Sequence, residues 1–224
     1  VIDEYLYNEK QDNVYYYNDN NAQEALDYII EQSRINFGEI DVSQFNVSKN
    51  ILVPLINAEP ELFYTIKYSY SYDNKNIIKT IEFDYYMTKE EIAETIVKMD
   101  NKVNKYLAKI KDNWTDIDKV LYTYNYVTLI CDYNYDAVPI ENRNQYRYAF
   151  RMNGVLINGS AVCDGYSRAF KYLLGKAGVE VEIVTSEEMN HAWNLVKLNN
   201  NYYHVDVTWG DSEIKGKINY IYFL

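Results

Sequence analysis

The chain has 224 residues, 48% of them hydrophobic, which is enough to bury a sizeable core in one or two domains. Its 22 basic residues against 33 acidic ones give a net charge of −11, and with no Lys/Arg cluster interleaved with aromatics read from the sequence, nucleic acid and anionic membranes are disfavoured as partners. No apolar run approaches the roughly 20 residues of a bilayer span. The start, "VIDEYLYNEK", lacks an initiator Met and a signal-peptide pattern, and the end, "INYIYFL", is an apolar strand-like run, so the chain reads as a piece of a longer protein that continues past Leu224. The 26 tyrosines accompany abundant Asn, Ile and Lys, a bias of composition, with a carbohydrate-binding aromatic face as the alternative.

In chain order, Ala22, Leu26, Ile29, Ile30 and Ser33 recur at helical spacing and predict an amphipathic helix over about residues 22–34. Tyr64, Ile66, Tyr68, Tyr70 and Tyr72 then alternate with Thr65, Lys67, Ser69 and Ser71, and "DNKN" supplies the turn of a hairpin. Thr88 with Glu91 forms a capping box for a helix of about six turns, with Ile92, Ile96, Met99, Val103, Tyr106 and Ile110 on its buried face. Thr115 with Asp118 repeats that start, and Ile117, Val120, Leu121, Tyr124, Val127 and Cys131 mark a second buried stripe.

Residues 133–162, with Pro139, Gly154 and Gly159, read as loop with at most a short helix. A helix follows from about Cys163 to Ala177, with Tyr166, Phe170, Leu173, Leu174 and Ala177 inward and Gly178 as its stop. Three strand-like runs close the chain: "EVEIVTSE", "HAWNLVKL" and "YYHVDVTW".

A thiol in the first turn of a helix faces unpaired N–H groups and the positive end of the helix dipole, which favour thiolate over thiol. Cys163 has that position. The only two histidines, His191 and His204, lie on the last hairpin. A two-residue loop at Asn199 and Asn200, both able to take a type I′ turn, pairs Leu198 with Asn201. Trp193 then faces Asp206, His191 faces Thr208, and His191 and Asp206 become diagonal neighbours on one face. A loop one residue longer would separate them. An imidazole beside a carboxylate, supplied with a thiol from Cys163, is the arrangement of a Cys-His-Asp triad. His204 shares the face but lies farther toward the turn, so it is the bystander, and Asp164 and Asp211 are further acidic neighbours in sequence.

The stretches "NGSAVCDGYSRAFKYLLGKAGV", "NHAWNLVKL" and "YYHVDVTWGD" together resemble the bacterial transglutaminase-like superfamily, with all three motifs in that family's order. The resemblance implies a papain-like α+β core whose nucleophile helix packs on an antiparallel sheet. It matches Cys163 to the nucleophile, His191 to the base and Asp206 to the orienting carboxylate. Tyr133 matches an upstream aromatic that stabilises the oxyanion together with the nucleophile's own N–H, with Tyr135 as the alternative; either could instead be simple packing. The resemblance covers residues 88–224 well, as a catalytic domain preceded by a small mixed α/β region over 1–87, and the family's sheet continues beyond "YFL".

The implied activity is attack of Cys163 on an amide or peptide carbonyl through a thioester. Water as acceptor gives a protease or amidase on peptide or cell-surface substrates, outside the cell or at its surface. An amine gives a protein-glutamine transglutaminase. A non-catalytic surface module that keeps the fold is the third possibility. Neither metal nor other cofactor is implied, and no EF-hand-like loop occurs. Two cysteines make no disulfide framework, though a Cys131–Cys163 bridge would silence the site.

Overall fold

The computed structural model describes residues 20–211 and 217–223, and the architecture is α+β. The opening "VIDEYLYNEK" and the rest of the first nineteen residues, with residues 212–216 and Leu224, lie outside the described part.

Helix α1 (Asn20–Ile35) buries Ala22, Ala25, Leu26, Ile29 and Ser33, the face that its periodicity marks. A short strand β1 (Ile40–Asp41) leads to α2 (Lys49–Asn57), a helix that the sequence did not announce because Pro54 sits inside it. Ser48 caps it by accepting from Asn50 N at 3.3 Å, and Leu52 and Ile56 bury its inner face. The predicted hairpin is β2 (Thr65–Tyr72) and β3 (Ile78–Tyr85), and β1 adds to the far side of β3 in an antiparallel sheet. The Asp73 carboxylate accepts from Lys75 N and Ile77 N, both at 2.9 Å, which fixes the turn.

Helices α3 (Lys89–Leu107) and α4 (Asp116–Ile130) both open on complete capping boxes, at Thr88 with Glu91 and at Thr115 with Asp118. Two expectations fail here. Helix α3 stops at Leu107, so Ile110 falls beyond it. On α4, Ile117 and Leu121 are exposed, and Thr123 and Thr128 join Val120, Tyr124 and Val127 inside. The threonines are tolerated there because each hydroxyl bonds back to the carbonyl four residues earlier, Thr123 to Lys119 at 2.6 Å and Thr128 to Tyr124 at 2.9 Å.

The region expected as loop is ordered by a two-residue parallel pair, β4 (Asp132–Tyr133) with β5 (Ser160–Ala161). Between them run short 3-10 turns and one π-turn over Gly154–Asn158. Helix α5 (Cys163–Lys176) then packs on the antiparallel sheet of β6 (Val181–Ser186), β7 (His191–Leu198) and β8 (Asn201–Val205), in the order β6-β7-β8. Asn199 and Asn200 take φ of 50° and 65°, and Leu198 pairs with Asn201, the two-residue loop that the sequence predicts. The third run does not stay a strand. It leaves the sheet at Asp206 and turns into α6 (Val207–Gly210). Within "INYIYFL", the expected strand is reduced to isolated bridges from Ile218 to Asp211 and from Phe223 to Val205.

A single hydrophobic cluster draws residues from both sides of Met87, among them Ile29, Phe63, Ile81, Ile92, Met99, Phe170 and Val196. Arg168 adds polar ties from α5 to the carbonyls of Asn57 at 3.0 Å and Glu59 at 3.5 Å. Four tyrosines, Tyr64, Tyr106, Tyr124 and Tyr166, are among the largest fully buried side chains, so part of the tyrosine richness is core. Each hydroxyl has a partner: Ser33 at 2.8 Å, Thr123 at 2.6 Å, the Asn219 carbonyl at 2.7 Å, and for Tyr166 both Asp211 Oδ2 at 2.7 Å and the Cys131 carbonyl at 3.0 Å.

Tyr166→Phe is expected to destabilise the protein by about 1–3 kcal/mol in urea denaturation, because it strips a donor from a half-buried carboxylate and a buried carbonyl. The same change at exposed Tyr135 should stay within about 0.5 kcal/mol. Equal effects at the two positions would show that the Tyr166 hydroxyl contributes nothing.

Candidate active site

Cys163 is the first residue of α5, after a Val162 cap that offers no side-chain acceptor, so the first N–H groups of the helix lack helical partners. Its surroundings depend on Gly165. A Cβ there would sit 2.4 Å from the Ala149 carbonyl and 2.9 Å from the Ala161 Cβ, so glycine lets segment 149–161 close against the first turn of α5. Val162 N bonds the Ala149 carbonyl at 2.9 Å from the same side.

His191 begins β7, paired with Ser186 on β6. Its side chain is 8% exposed, and Nε2 lies 2.6 Å from Asp206 Oδ2. Asp206 is held from the other side. Its Oδ1 accepts from Thr208 N at 3.0 Å and Trp209 N at 3.1 Å as the N-cap of α6. The contact is the one parity suggests, but its route differs: the chain has already left the sheet, and helix capping aims the carboxylate instead of cross-strand pairing. Cys163 is the other group that acts on the imidazole, raising its affinity for a proton. With Nε2 taken by Asp206, Nδ1 is the nitrogen left for the thiol. Burial opposes charge on the ring, but the hydrogen bond to Asp206 and the interaction with Cys163, and then their charges, raise His191 from 6.5 to about 9.

Two tryptophans lie near-parallel to the imidazole. Trp209 stacks on it at 4.9 Å between ring centroids, inclined 14°, and Trp193 at 5.8 Å and 18°. Among the described residues, His204 hydrogen bonds neither Asp206 nor His191. It accepts from Trp193 Nε1 at 2.7 Å through Nδ1, and so fastens one wall of the imidazole slot.

Tyr133 stands on β4, paired with Ala161, two residues before Cys163. Burial first, then the charges of Cys163 and Tyr135, push its hydroxyl up to about 12. Tyr135 is 69% exposed and packs edge-on against Tyr133 at 4.9 Å. Asp211 bonds Tyr166, and Asp164 pairs with Arg168 at 2.9 Å; neither reaches the imidazole. Cys131 is buried and pushed up to about 12 by that burial, and both cysteines are free thiols, so no bridge silences the site.

Asn194 is a residue that sequence reasoning missed. Ala192, Asn194, Val196 and Leu198 form the buried face of β7, and Asn194 is 0% exposed. Its Nδ2 donates to the Ser167 carbonyl at 3.1 Å and the Glu182 carbonyl at 3.2 Å, while Ser167 Oγ donates to the Cys163 carbonyl at 2.8 Å. This chain of bonds ties the helix that carries Cys163 to the strand that carries His191. The signal was present: a lone polar residue in an alternating apolar row. Among the described residues, no three His, Cys, Asp or Glu side chains gather as a metal site.

Residues 103–207 match the family model of the transglutaminase-like superfamily. The matched stretch contains Cys163, His191 and Asp206, and the packing of α5 on β6–β8 is consistent with the papain-like core of this superfamily. Among curated proteins, the chain is 26% identical over 130 residues to a human kyphoscoliosis peptidase, covering 50% of this chain and 19% of that protein. It is 23% identical over 159 residues to the mouse kyphoscoliosis peptidase, covering 64% and 23%. The matches thus span about a fifth of the length of these relatives. A solved structure described as a TGase superposes with a TM-score of 0.43 at 18% identity, covering 70% of this chain and 48% of that one.

The folded state binds the His191 proton more tightly than the unfolded chain does. Its contribution to stability is therefore complete below about pH 6.5 and is lost as pH rises through about 9. In this chain, NMR titration should show one imidazole with a midpoint near 9, assigned by its loss in His191→Ala. Asp206→Asn should bring that midpoint down by about one unit or more, since both the ring's hydrogen-bond partner and its counter-charge weaken. An unchanged midpoint would mean that Asp206 does not hold the proton.

Proposed function

We propose that this chain is a cysteine-dependent enzyme of amide bonds, and that its reaction is hydrolysis of peptide or protein substrates. The reading treats residues 88–224 as the catalytic domain and 1–87 as an accessory N-terminal region. The observation that carries it is the His191 ring held by Asp206 at 2.6 Å, with Cys163 as the other group that raises its proton affinity. The peptidase names of the mammalian relatives support the same direction. The motif resemblance to bacterial members favours a substrate outside the cell or on its surface.

In this mechanism, the Cys163 thiol gives its proton to His191, the thiolate Sγ attacks the amide carbonyl carbon, and the carbonyl π electrons move onto oxygen. The Tyr133 hydroxyl and the Cys163 N–H donate to that oxyanion. As the C–N bond breaks, the His191 imidazolium gives its proton to the leaving amine, and a thioester remains on Cys163. Water then adds to the thioester carbonyl while His191 takes its proton. The C–S bond breaks, and the acid and the free thiol are regenerated. Asp206 keeps the ring in one orientation through both halves. The raised His191 favours the acid role, because the imidazolium persists through neutral pH.

Transamidation is the second reading. It draws support from Trp193 and Trp209, which stack beside an imidazole only 8% exposed and so restrict water. A primary amine would then replace water in the second half.

Iodoacetamide at neutral pH should label Cys163 roughly tenfold or more faster than glutathione, with buried Cys131 untouched, and His191→Ala should abolish the advantage. Labelling at the glutathione rate would sink the enzyme reading in favour of a non-catalytic interaction module. Glutamine-containing peptides incubated with and without a primary amine would separate the two reactions: cleavage or ammonia release without amine supports hydrolysis, and incorporation of the amine alone supports crosslinking.

A further inference from the structure

The segment "RNQYRYAFR", residues 143–151, is a basic stretch interleaved with aromatics, contrary to the reading that no such cluster occurs. It folds against the first turn of α5. Arg143, Arg147 and Arg151 line a cavity of about 200 Å³ together with Asp164, the residue after Cys163. Three arginines thus share one cavity wall with a single acidic residue, in a chain whose net charge is −11.

That carboxylate is already engaged. Asp164 Oδ1 takes Arg168 Nε at 2.9 Å, while Arg151 is 3.9 Å from its other oxygen and donates to the Thr65 carbonyl at 3.1 Å. Arg143 lies over the Phe150 ring at 5.5 Å, and Arg147 bonds the neutral Asn144 amide. Neither is in an ion pair among the described residues. Burial, followed by repulsion from Arg168, lowers the affinity of Arg151 for its proton, the mark of a charge short of counter-charge. Tyr86 stands in the same wall. Its hydroxyl oxygen accepts from Asn153 Nδ2 at 3.4 Å, which leaves the phenolic proton for an acceptor in the cavity.

We infer that this cavity is a carboxylate-binding subsite beside Cys163, which selects peptides with an acidic side chain next to the amide that is attacked. Arginine forks match the two oxygens of a carboxylate, and the volume suits one short side chain rather than a polymer. The substrate clause rests on the proposed amide chemistry; the binding clause does not.

The test is NMR titration of the native chain with N-acetylglutamate amide and with its neutral isostere N-acetylglutamine amide. Saturable shifts are expected at 143–151 and Tyr86 with the first only, weakened roughly tenfold in Arg147→Gln and in Arg143→Gln and weakened by added salt. Equal binding of both probes, no binding of the acid, or affinity that ignores both substitutions and salt would overturn the subsite. Tighter binding of inorganic phosphate than of N-acetylglutamate amide would overturn the carboxylate assignment. The readout needs no turnover, so failure here leaves fast labelling of Cys163 standing, and failure of that labelling leaves this binding standing.

Discussion

One carboxylate carries two tasks in this molecule. Asp206 Oδ1 closes the N-terminus of α6 and its Oδ2 holds the imidazole of His191. Burying a carboxylate is costly unless its oxygens are matched by donors, and here two backbone N–H groups and a ring nitrogen supply them. The cap does more than compensate for burial. It fixes the carboxylate plane through the backbone, so the direction of Oδ2, and with it the tilt of the ring, does not depend on a mobile side-chain rotamer. The exit of the chain from the sheet at Val205 is therefore a requirement of the site, and the bond from Asp206 N to the Tyr222 carbonyl at 3.0 Å anchors the bend.

A fixed imidazole is useful only if the thiol arrives at the right distance, and that distance is set in the layer below. Asn194 lies in the apolar interface between β7 and α5, where a leucine would pack with less desolvation cost. Its two donated bonds go to the carbonyls of Ser167 and Glu182, so one side chain couples the helix to both strands. The leftover Oδ1 has no partner among the described residues, an expense that a purely space-filling residue would avoid. Gly165 acts on the same helix from the opposite side by admitting the Ala149 carbonyl where any Cβ would clash. Together they hold the first turn of α5 between strand and loop, with Cys163 at its tip.

The parts of this arrangement that were legible in the sequence are those set by local chemistry. Thr88 and Thr115 declare their helices because a capping box is complete within four residues. The Asn199–Asn200 turn declares its register because only two residues with positive φ are involved. Where a distant partner decides, the reading failed. The bulk of Ile117 and Leu121 suggested burial, yet Thr123 took the inner position because the Tyr106 hydroxyl lies there to meet it at 2.6 Å. The proline in α2 hid a helix that tertiary packing on α1 supports. Asp206 was placed beside His191 by strand parity, whereas a helix cap aims it. The contact emerged because both routes carry residue 206 past the same end of β7.

The arginine-lined cavity raises a question of range. At physiological salt, fields decay over about 8 Å, so an approaching acidic peptide meets the overall negative charge before the cluster at 143–151 can act on it. Long-range steering would then oppose the ligand that the cavity suits. The opposition reverses only when the ligand's carboxylate is within a few ångströms of the guanidinium groups, where low solvent access strengthens each bond. Selection by such a site comes from contact rather than from attraction at a distance, and its specificity should show in how long a ligand stays more than in how fast it arrives. That division fits the amide chemistry proposed for the neighbouring thiol, in which residence at the cavity would keep the carbonyl beside Cys163 until the thioester forms.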